Sequence, residues 1–312
     1  MKKSYLFISL LIIGTVAGCN QIAPSVSSSS SESASLSSAA PSSSNNPSSS
    51  SSSTSIVQSS SSSSSTTSIV VNGYYKNIDL TKTGSELKTE LHKLISNFTN
   101  ISYNELWTAF RDTDAKDNGK VWDMYSNCDY TFGTDQNSGT NGPEGTNYNR
   151  EHSIPNSWFG GKVSPMYSDL FHLYTTDSKV NSERGNLPYG EVGSASYTSG
   201  NGSKLGSSSF SGYSGTVFEP IDEYKGDFAR TYFYFATCYQ NKNISQSSEA
   251  KIVFKSESYP TLTTYAQNLF MKWSKEDPVS EKEIDRNNAV YSYQKNRNPF
   301  IDIPGLEDKI WG

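Results

Sequence analysis

From residue 83 onward, apolar side chains recur at helical spacing in several blocks. Leu87, Leu91, Leu94, Ile95 and Phe98 share one helical face, and Thr83 with Glu86 ahead of them has the layout of a capping box, which predicts a helix there. Ser102 and Glu105 repeat the box before Leu106, Trp107 and Phe110. Phe228, Tyr232, Phe235, Ala236 and Tyr239 mark a helix over 227–239, and 261–274 reads as another amphipathic helix. Ser280 with Glu283 caps a last helix that ends near Asn296, because Pro299 blocks its continuation. Ser164-Pro165 places a proline where one more helix opens. Val121-Trp122-Asp123-Met124-Tyr125 reads as a strand. The segment 133–149 is rich in Gly, Asn, Thr and Asp, and 193–215 in Gly and Ser, so both read as long loops. The expected class is α+β, predominantly helical, with few strands.

Upstream of this region the pattern changes. Lys2 and Lys3 precede an apolar run from Tyr5 to Gly18, followed by Cys19. A charged start, an apolar stretch shorter than the roughly 20 residues of a spanning helix, and small residues before a cysteine are the features of an export signal. Val16-Ala17-Gly18-Cys19 resembles a bacterial lipobox, in which Cys19 is lipidated. Residues 20–71 are dominated by serine and hold too little apolar surface to offset the entropy of ordering, so they read as a disordered tether. The expected organisation is therefore a lipoprotein signal over 1–19, a serine-rich linker over 20–71 and one folded domain over 72–312. The expected location is the outer face of the cell membrane, extracellular or periplasmic, with Cys19 as the contact to the membrane. No protein partner is expected.

Charge alters the picture in one respect. Without Lys2, Lys3 and Glu32, the chain has 24 Lys and Arg against 30 Asp and Glu. Dedicated nucleic-acid-binding modules are usually basic, so the balance speaks against one, but not against an enzyme that meets phosphates at one site. Cys128 and Cys238 remain as an even pair outside the signal, which leaves one disulfide or two free thiols open. No zinc-ligand spacing, phosphate-binding glycine loop or dinucleotide fingerprint is found.

The chain has three histidines. His92 follows Leu91 in the first predicted helix and reads as a surface or boundary residue. His152 stands in Asn149-Arg150-Glu151-His152-Ser153-Ile154-Pro155-Asn156-Ser157-Trp158, with a carboxylate beside the imidazole. On a strand these two point to opposite faces, yet both flank one site if the strand edge meets a cleft. On these residues alone a structural and a catalytic histidine are both consistent. The third, His172, precedes Asp177-Ser178-Lys179-Val180-Asn181-Ser182-Glu183-Arg184-Gly185-Asn186. That stretch offers hard oxygen ligands suited to Mg²⁺ or Ca²⁺ and a guanidinium fork suited to phosphate.

Arg-Glu-His-x-x-Pro followed by Val-Asn-x-x-Arg-x-Asn, then Ala229-Arg230-Thr231-Tyr232-Phe233-Tyr234 and Asn298-Pro299-Phe300, occur here in the order found in the endonuclease I family. The chain resembles these periplasmic and secreted bacterial nucleases from about His92 to its C-terminus. The resemblance implies a His-Me finger, or ββα-metal, fold with long loops. It implies His152 as general base, Glu151 and Asn181 as ligands of one divalent cation (Mg²⁺, or Mn²⁺ or Ca²⁺), Asn186 as structural, and Arg184 as structural or facing a substrate phosphate. DNA, and RNA with it, is the implied substrate, cut without base specificity to 5′-phosphate products. The chain departs from the pattern at Phe171, where relatives commonly have His, at Thr175, often Pro, and at Ile303, where some have His. The cysteine-rich insert of some relatives is absent. Two other readings share these residues: a surface-binding lipoprotein with a decayed site, and a metal-dependent phosphodiesterase acting on another substrate.

Overall fold

The computed structural model describes residues 73–139 and 142–312. The expected signal, Cys19 and the serine tether lie outside the described residues. The helices are α1 (Gly84–Ile95) and α2 (Leu106–Thr113), followed by strands β1 (Tyr148–His152) and β2 (Leu173–Asp177) and helix α3 (Ser178–Arg184). Strands β3 (Val192–Thr198), β4 (Lys204–Ser208) and β5 (Thr216–Glu219) come next. Helices α4 (Lys225–Cys238), α5 (Ala250–Val253), α6 (Thr264–Glu276), α7 (Glu281–Gln294), α8 (Pro299–Asp302) and α9 (Leu306–Trp311) complete the described chain. The class is α+β, as expected. Among the described residues no helix is long and apolar enough to cross a membrane.

Helix α4 is the core element. Every residue in it is buried, which agrees with a sequence that is aromatic on all sides rather than along one stripe. It packs against α1, α6, α8 and the turn at 170–172. Two buried ion pairs fix α7 to this core: Arg230 on α4 with Glu283, and Asp114 after α2 with Arg286. Arg286 also donates to the carbonyls of Leu170 and Leu173, at 2.9 and 2.7 Å, so α7 holds the start of β2.

The strands form two separate sheets. β1 and β2 pair antiparallel, with Glu151 opposite Tyr174 and His152 opposite Leu173. β3, β4 and β5 form a three-stranded antiparallel sheet with β4 central. This second sheet replaces most of the long loop expected over 193–215. β3 is largely exposed and carries no apolar alternation, while β5 ties the sheet to the core through buried Val217 and Phe218. Gly206 is required within it, since a Cβ there would stand 2.0 Å from the Ser194 carbonyl oxygen.

Other expectations meet mixed outcomes. Val121–Tyr125 is not a strand. Its amides go to unrelated partners: Val121 to the Tyr130 carbonyl, Trp122 to Asp114, Met124 to Thr175, and Tyr125 to the Asp123 carboxylate. Ser164-Pro165 opens only a single 3₁₀ turn over Met166–Ser168. The capping box at Ser280 forms in full, and that at Ser102 and Glu105 forms one turn before α2. Thr83 occupies the N-cap of α1 without a side-chain bond. α7 already ends at Gln294, where Lys295 takes φ +65°, and Pro299 begins the next helix at the first turn of α8, where Asn298 caps it. Cys128 and Cys238 are both free thiols.

Candidate active site

β1, β2 and α3 follow one another in the chain, with the 3₁₀ turns at 156–159, 166–168 and 170–172 between the strands, and residues of β1 and α3 line one pocket. The helix begins directly at the end of β2 because Asp177 caps it, its Oδ1 accepting from the amides of Lys179 and Val180 at 2.7 and 3.0 Å. The other oxygen of Asp177 accepts from Tyr130 and from the Gly145 amide, so the cap is itself held from the long loop. Gly185, at φ +56°, lets the chain leave α3 in a left-handed conformation. This brings Asn181 and Arg184 alongside β1.

Glu151 and His152 take different neighbours, as strand alternation requires, yet both line the same pocket of about 320 Å³ at the strand end. Arg150, Asn181 and Asn186 line it too. Glu151 is almost fully buried. Its Oε1 accepts from the Tyr125 hydroxyl at 2.9 Å and from Arg184 at 2.5 Å. Oε2 takes no part in either bond. Burial pushes this carboxyl above its ordinary range, while the Arg184 guanidinium and the Tyr125 hydroxyl oppose the shift.

His152 packs beside a stacked pair of rings, Tyr103 and Tyr167, whose centroids are 4.3 Å apart. Tyr103 and Tyr167 lie nearly parallel to it at 5.7 and 5.1 Å. Its Nε2 lies 3.0 Å from the Tyr167 carbonyl oxygen. A carbonyl only accepts, so Nε2 carries the proton and Nδ1 keeps its lone pair. Burial, with His172 nearby, pushes the His152 pKa down to about 3, so the ring is neutral across the physiological range.

Asn181 donates from Nδ2 to Asn149 Oδ1 at 2.7 Å. That bond sets the amide's orientation and leaves its carbonyl oxygen as the free acceptor. The protein thus offers a carboxylate oxygen from Glu151 and an amide oxygen from Asn181 on one pocket. Two hard oxygens with room for water fit a small divalent cation, which keeps several waters when bound. Among the described residues no group of three or more His, Cys, Asp or Glu could hold a metal; the donors in this pocket are the mixed pair Glu151 and Asn181.

Arg184 has no exposed surface. Its guanidinium also donates to the carbonyls of His152 and Ser153 at 2.9 and 2.7 Å, and Nε to Leu187 at 3.2 Å, while Tyr189 packs on its face. The structure places it behind Glu151, away from any approaching phosphate. Asn186 is exposed at the pocket, and only its backbone carbonyl is used, by Trp158. Phe171 is buried against Tyr234 and serves as apolar filling. His172 does not stand in for a histidine there. Its Nε2 turns to the Met166 carbonyl at 2.6 Å, and its Nδ1 is buried without a partner. His92 is half-buried, with Nδ1 near the carbonyls of Thr237 and Cys238. A larger cavity, about 480 Å³, lies at Glu219, Lys225 and Lys272, where both lysines already pair with carboxylates.

Several contributors escaped the sequence reading. Asp169 is fully buried and accepts four bonds, from the Phe171 amide, Gln294, Tyr234 and Tyr239, which locks the turn leading into β2. Tyr125 and the Tyr167 carbonyl carry no signal in the sequence. The capping role of Asp177 is the exception, since an aspartate directly before a helix is a recognisable N-cap.

The sequence model of the endonuclease I family matches residues 83–305. The chain is 35% identical over 243 residues to a protein described as an extracellular ribonuclease from Bacillus subtilis (strain 168), covering 76% of this chain and 78% of that one. It is 36% identical over 244 residues to a protein of the same description from Bacillus amyloliquefaciens, with the same shares of 76% and 78%. It is also 25% identical over 134 residues to a protein described as Endonuclease-1 from Buchnera aphidicola subsp. Baizongia pistaciae (strain Bp), covering 43% of this chain and 46% of that one.

Proposed function

Given that the chain belongs to the endonuclease I family and is an endonuclease, we propose that it hydrolyses phosphodiester bonds of both DNA and RNA at the pocket of Glu151, His152 and Asn181. β1, β2 and α3 are then its ββα-metal unit. The observation that carries this is the His152 ring, whose Nε2 is tied to the Tyr167 carbonyl on a side chain lining the pocket.

His152 Nδ1 takes a proton from the attacking water as the water oxygen bonds to phosphorus. The bond from phosphorus to the 3′ oxygen breaks on the far side. The departing oxygen takes a proton from solvent, which leaves a 3′-hydroxyl and a 5′-phosphate. A neutral imidazole is the required starting state for a base, and burial provides it. Glu151 Oε2 and Asn181 Oδ1 would hold Mg²⁺, with Mn²⁺ or Ca²⁺ as substitutes. When bound, the ion neutralises negative charge on the phosphate and the leaving oxygen. Arg184 favours the ionised form of Glu151 against its burial and holds it in place, and Asn149 orients Asn181. The nucleophile is water, so no 2′-hydroxyl is needed, which supports action on both nucleic acids. The relatives described as ribonucleases support RNA, and the one described as Endonuclease-1 is compatible with DNA.

The lipobox-like Val16–Cys19 and the extracellular relatives support export and anchoring through Cys19, with residues 20–71 as the tether. The test of the reaction is degradation of a plasmid and of a structureless RNA with Mg²⁺ and with EDTA, followed by end-group analysis. Both substrates are expected to be cut to 5′-phosphate ends only with the metal. Products bearing 3′-phosphate or 2′,3′-cyclic ends would refute the water-based route.

A further inference from the structure

Arg150 stands two residues before His152 on β1, so the two share a strand face, and both line the same pocket. The guanidinium carbon lies 3.8 Å from the centre of the Tyr103 ring and 4.3 Å from that of Trp107. Tyr103 in turn stacks on His152. One donor nitrogen of Arg150 bonds the Tyr103 carbonyl at 2.7 Å, and the other meets the Ser138 hydroxyl at 3.3 Å.

What the residue lacks is a counter-charge. Arg184, Arg230, Arg286 and Arg297 each ion-pair with a carboxylate. Arg150 is half-buried, yet among the described residues it is in no ion pair and bonds only neutral oxygens. Burying a cation without an anion is costly. Two aromatic faces offset part of that cost. With its faces covered by rings, a guanidinium presents further donors only through its edge, the geometry that matches two phosphate oxygens.

We propose that Arg150, held by Tyr103 and Trp107, is a phosphate subsite that binds a backbone phosphate of the same strand beside the scissile one. This rests on the site reading above and supplies the phosphate contact that the buried Arg184 cannot make. It also explains how an acidic protein engages a polyanion: one cation beside the reacting groups is left without an internal partner.

The test is steady-state cleavage of a single-stranded fluorogenic oligonucleotide by the full chain at fixed Mg²⁺ over a series of NaCl concentrations. Wild type is run beside Arg150→Met, Arg150→Lys and His152→Ala, with thermal midpoints as a check on folding. Arg150→Met is expected to raise KM on the order of tenfold. It should also flatten log(kcat/KM) against log[NaCl] by about 0.7, the weight of one single-strand phosphate contact. Arg150→Lys keeps the charge and is expected to retain the slope with a smaller rise in KM. Should Arg150→Met not fold, Arg150→Gln, neutral and still able to bond Tyr103, is expected to give the same flattening. A slope equal to wild type in the neutral variants, or a fall in kcat alone, overturns the assignment and leaves Arg150 as a support for Tyr103. Failure of the underlying site reading looks different: His152→Ala would then cut at the wild-type rate.

Discussion

Replacing Arg184 with methionine removes five contacts at once: the pair with Glu151, the bonds to the carbonyls of His152, Ser153 and Leu187, and the packing on Tyr189. Glu151 would then be a buried carboxylate with Tyr125 as its remaining side-chain partner. Breaking a buried pair by removing one partner costs about 3–5 kcal/mol, because the other charge is left without compensation. For a domain of this size that lowers the thermal midpoint on the order of 10 °C. The assay is chemical denaturation of Arg184→Met, Glu151→Gln and the double variant. The two single losses should not add. Removing both charges should recover about 0.5–3 kcal/mol relative to the sum, the range seen for directly coupled groups. The reasoning fails if Arg184→Met is as stable as wild type and only raises KM. That result belongs to an exposed arginine on a substrate phosphate, the alternative role expected from the sequence.

Further outcomes follow from the same geometry. Asn149→Ala frees the Asn181 amide to rotate and should raise the Mg²⁺ concentration for half-maximal cleavage by about tenfold or more, as is typical when a ligand's orienting partner is lost; a metal titration checks it. Asp177→Ala removes the cap of α3, should cost about 1–2 kcal/mol in urea unfolding, and should weaken the same metal dependence because α3 carries Asn181. Burial lowers the His172 pKa to about 4, against about 6.5 when unfolded, so the unfolded chain binds a proton that the folded one refuses. Stability should therefore be full above pH 6.5 and fall by about 3 kcal/mol from this residue as pH drops to 4; in His172→Gln the pH slope in that window should shrink by one proton. Cys19→Ser should move the protein from the membrane fraction into the medium, and retention in membranes would count against lipid anchoring.

The helices are legible where apolar residues recur at helical spacing or where a cap marks the start. α1, α4 and α6 stand where that spacing places them, and α7 where its capping box does. The second sheet is not legible, since the Gly- and Ser-rich residues of β3 and β4 are largely exposed and give the strand pattern nothing to act on. Val121–Tyr125 misled for the opposite reason: its residues are mostly buried and apolar, but its amides serve separate partners. At the site, the two short motifs single out Glu151, His152, Asn181 and Arg184, and the fold brings all four together. Which of them face outward cannot be read from the motifs. Arg184 and Arg150 are both arginines in a motif, and only the structure shows that the first is enclosed with a carboxylate and the second borders the pocket without one. The supporting bonds from Tyr125, Asp169 and the Tyr167 carbonyl cross 26, 125 and 15 residues at their longest, beyond the reach of any local pattern.

The most direct test of the account is the cleavage rate of His152→Ala beside wild type on plasmid DNA with saturating Mg²⁺. If His152 is the base, kcat/KM falls by about 10²–10⁴-fold while the thermal midpoint shows the variant folded. A folded variant that cuts within a few-fold of wild type would place the base elsewhere and remove the central claim.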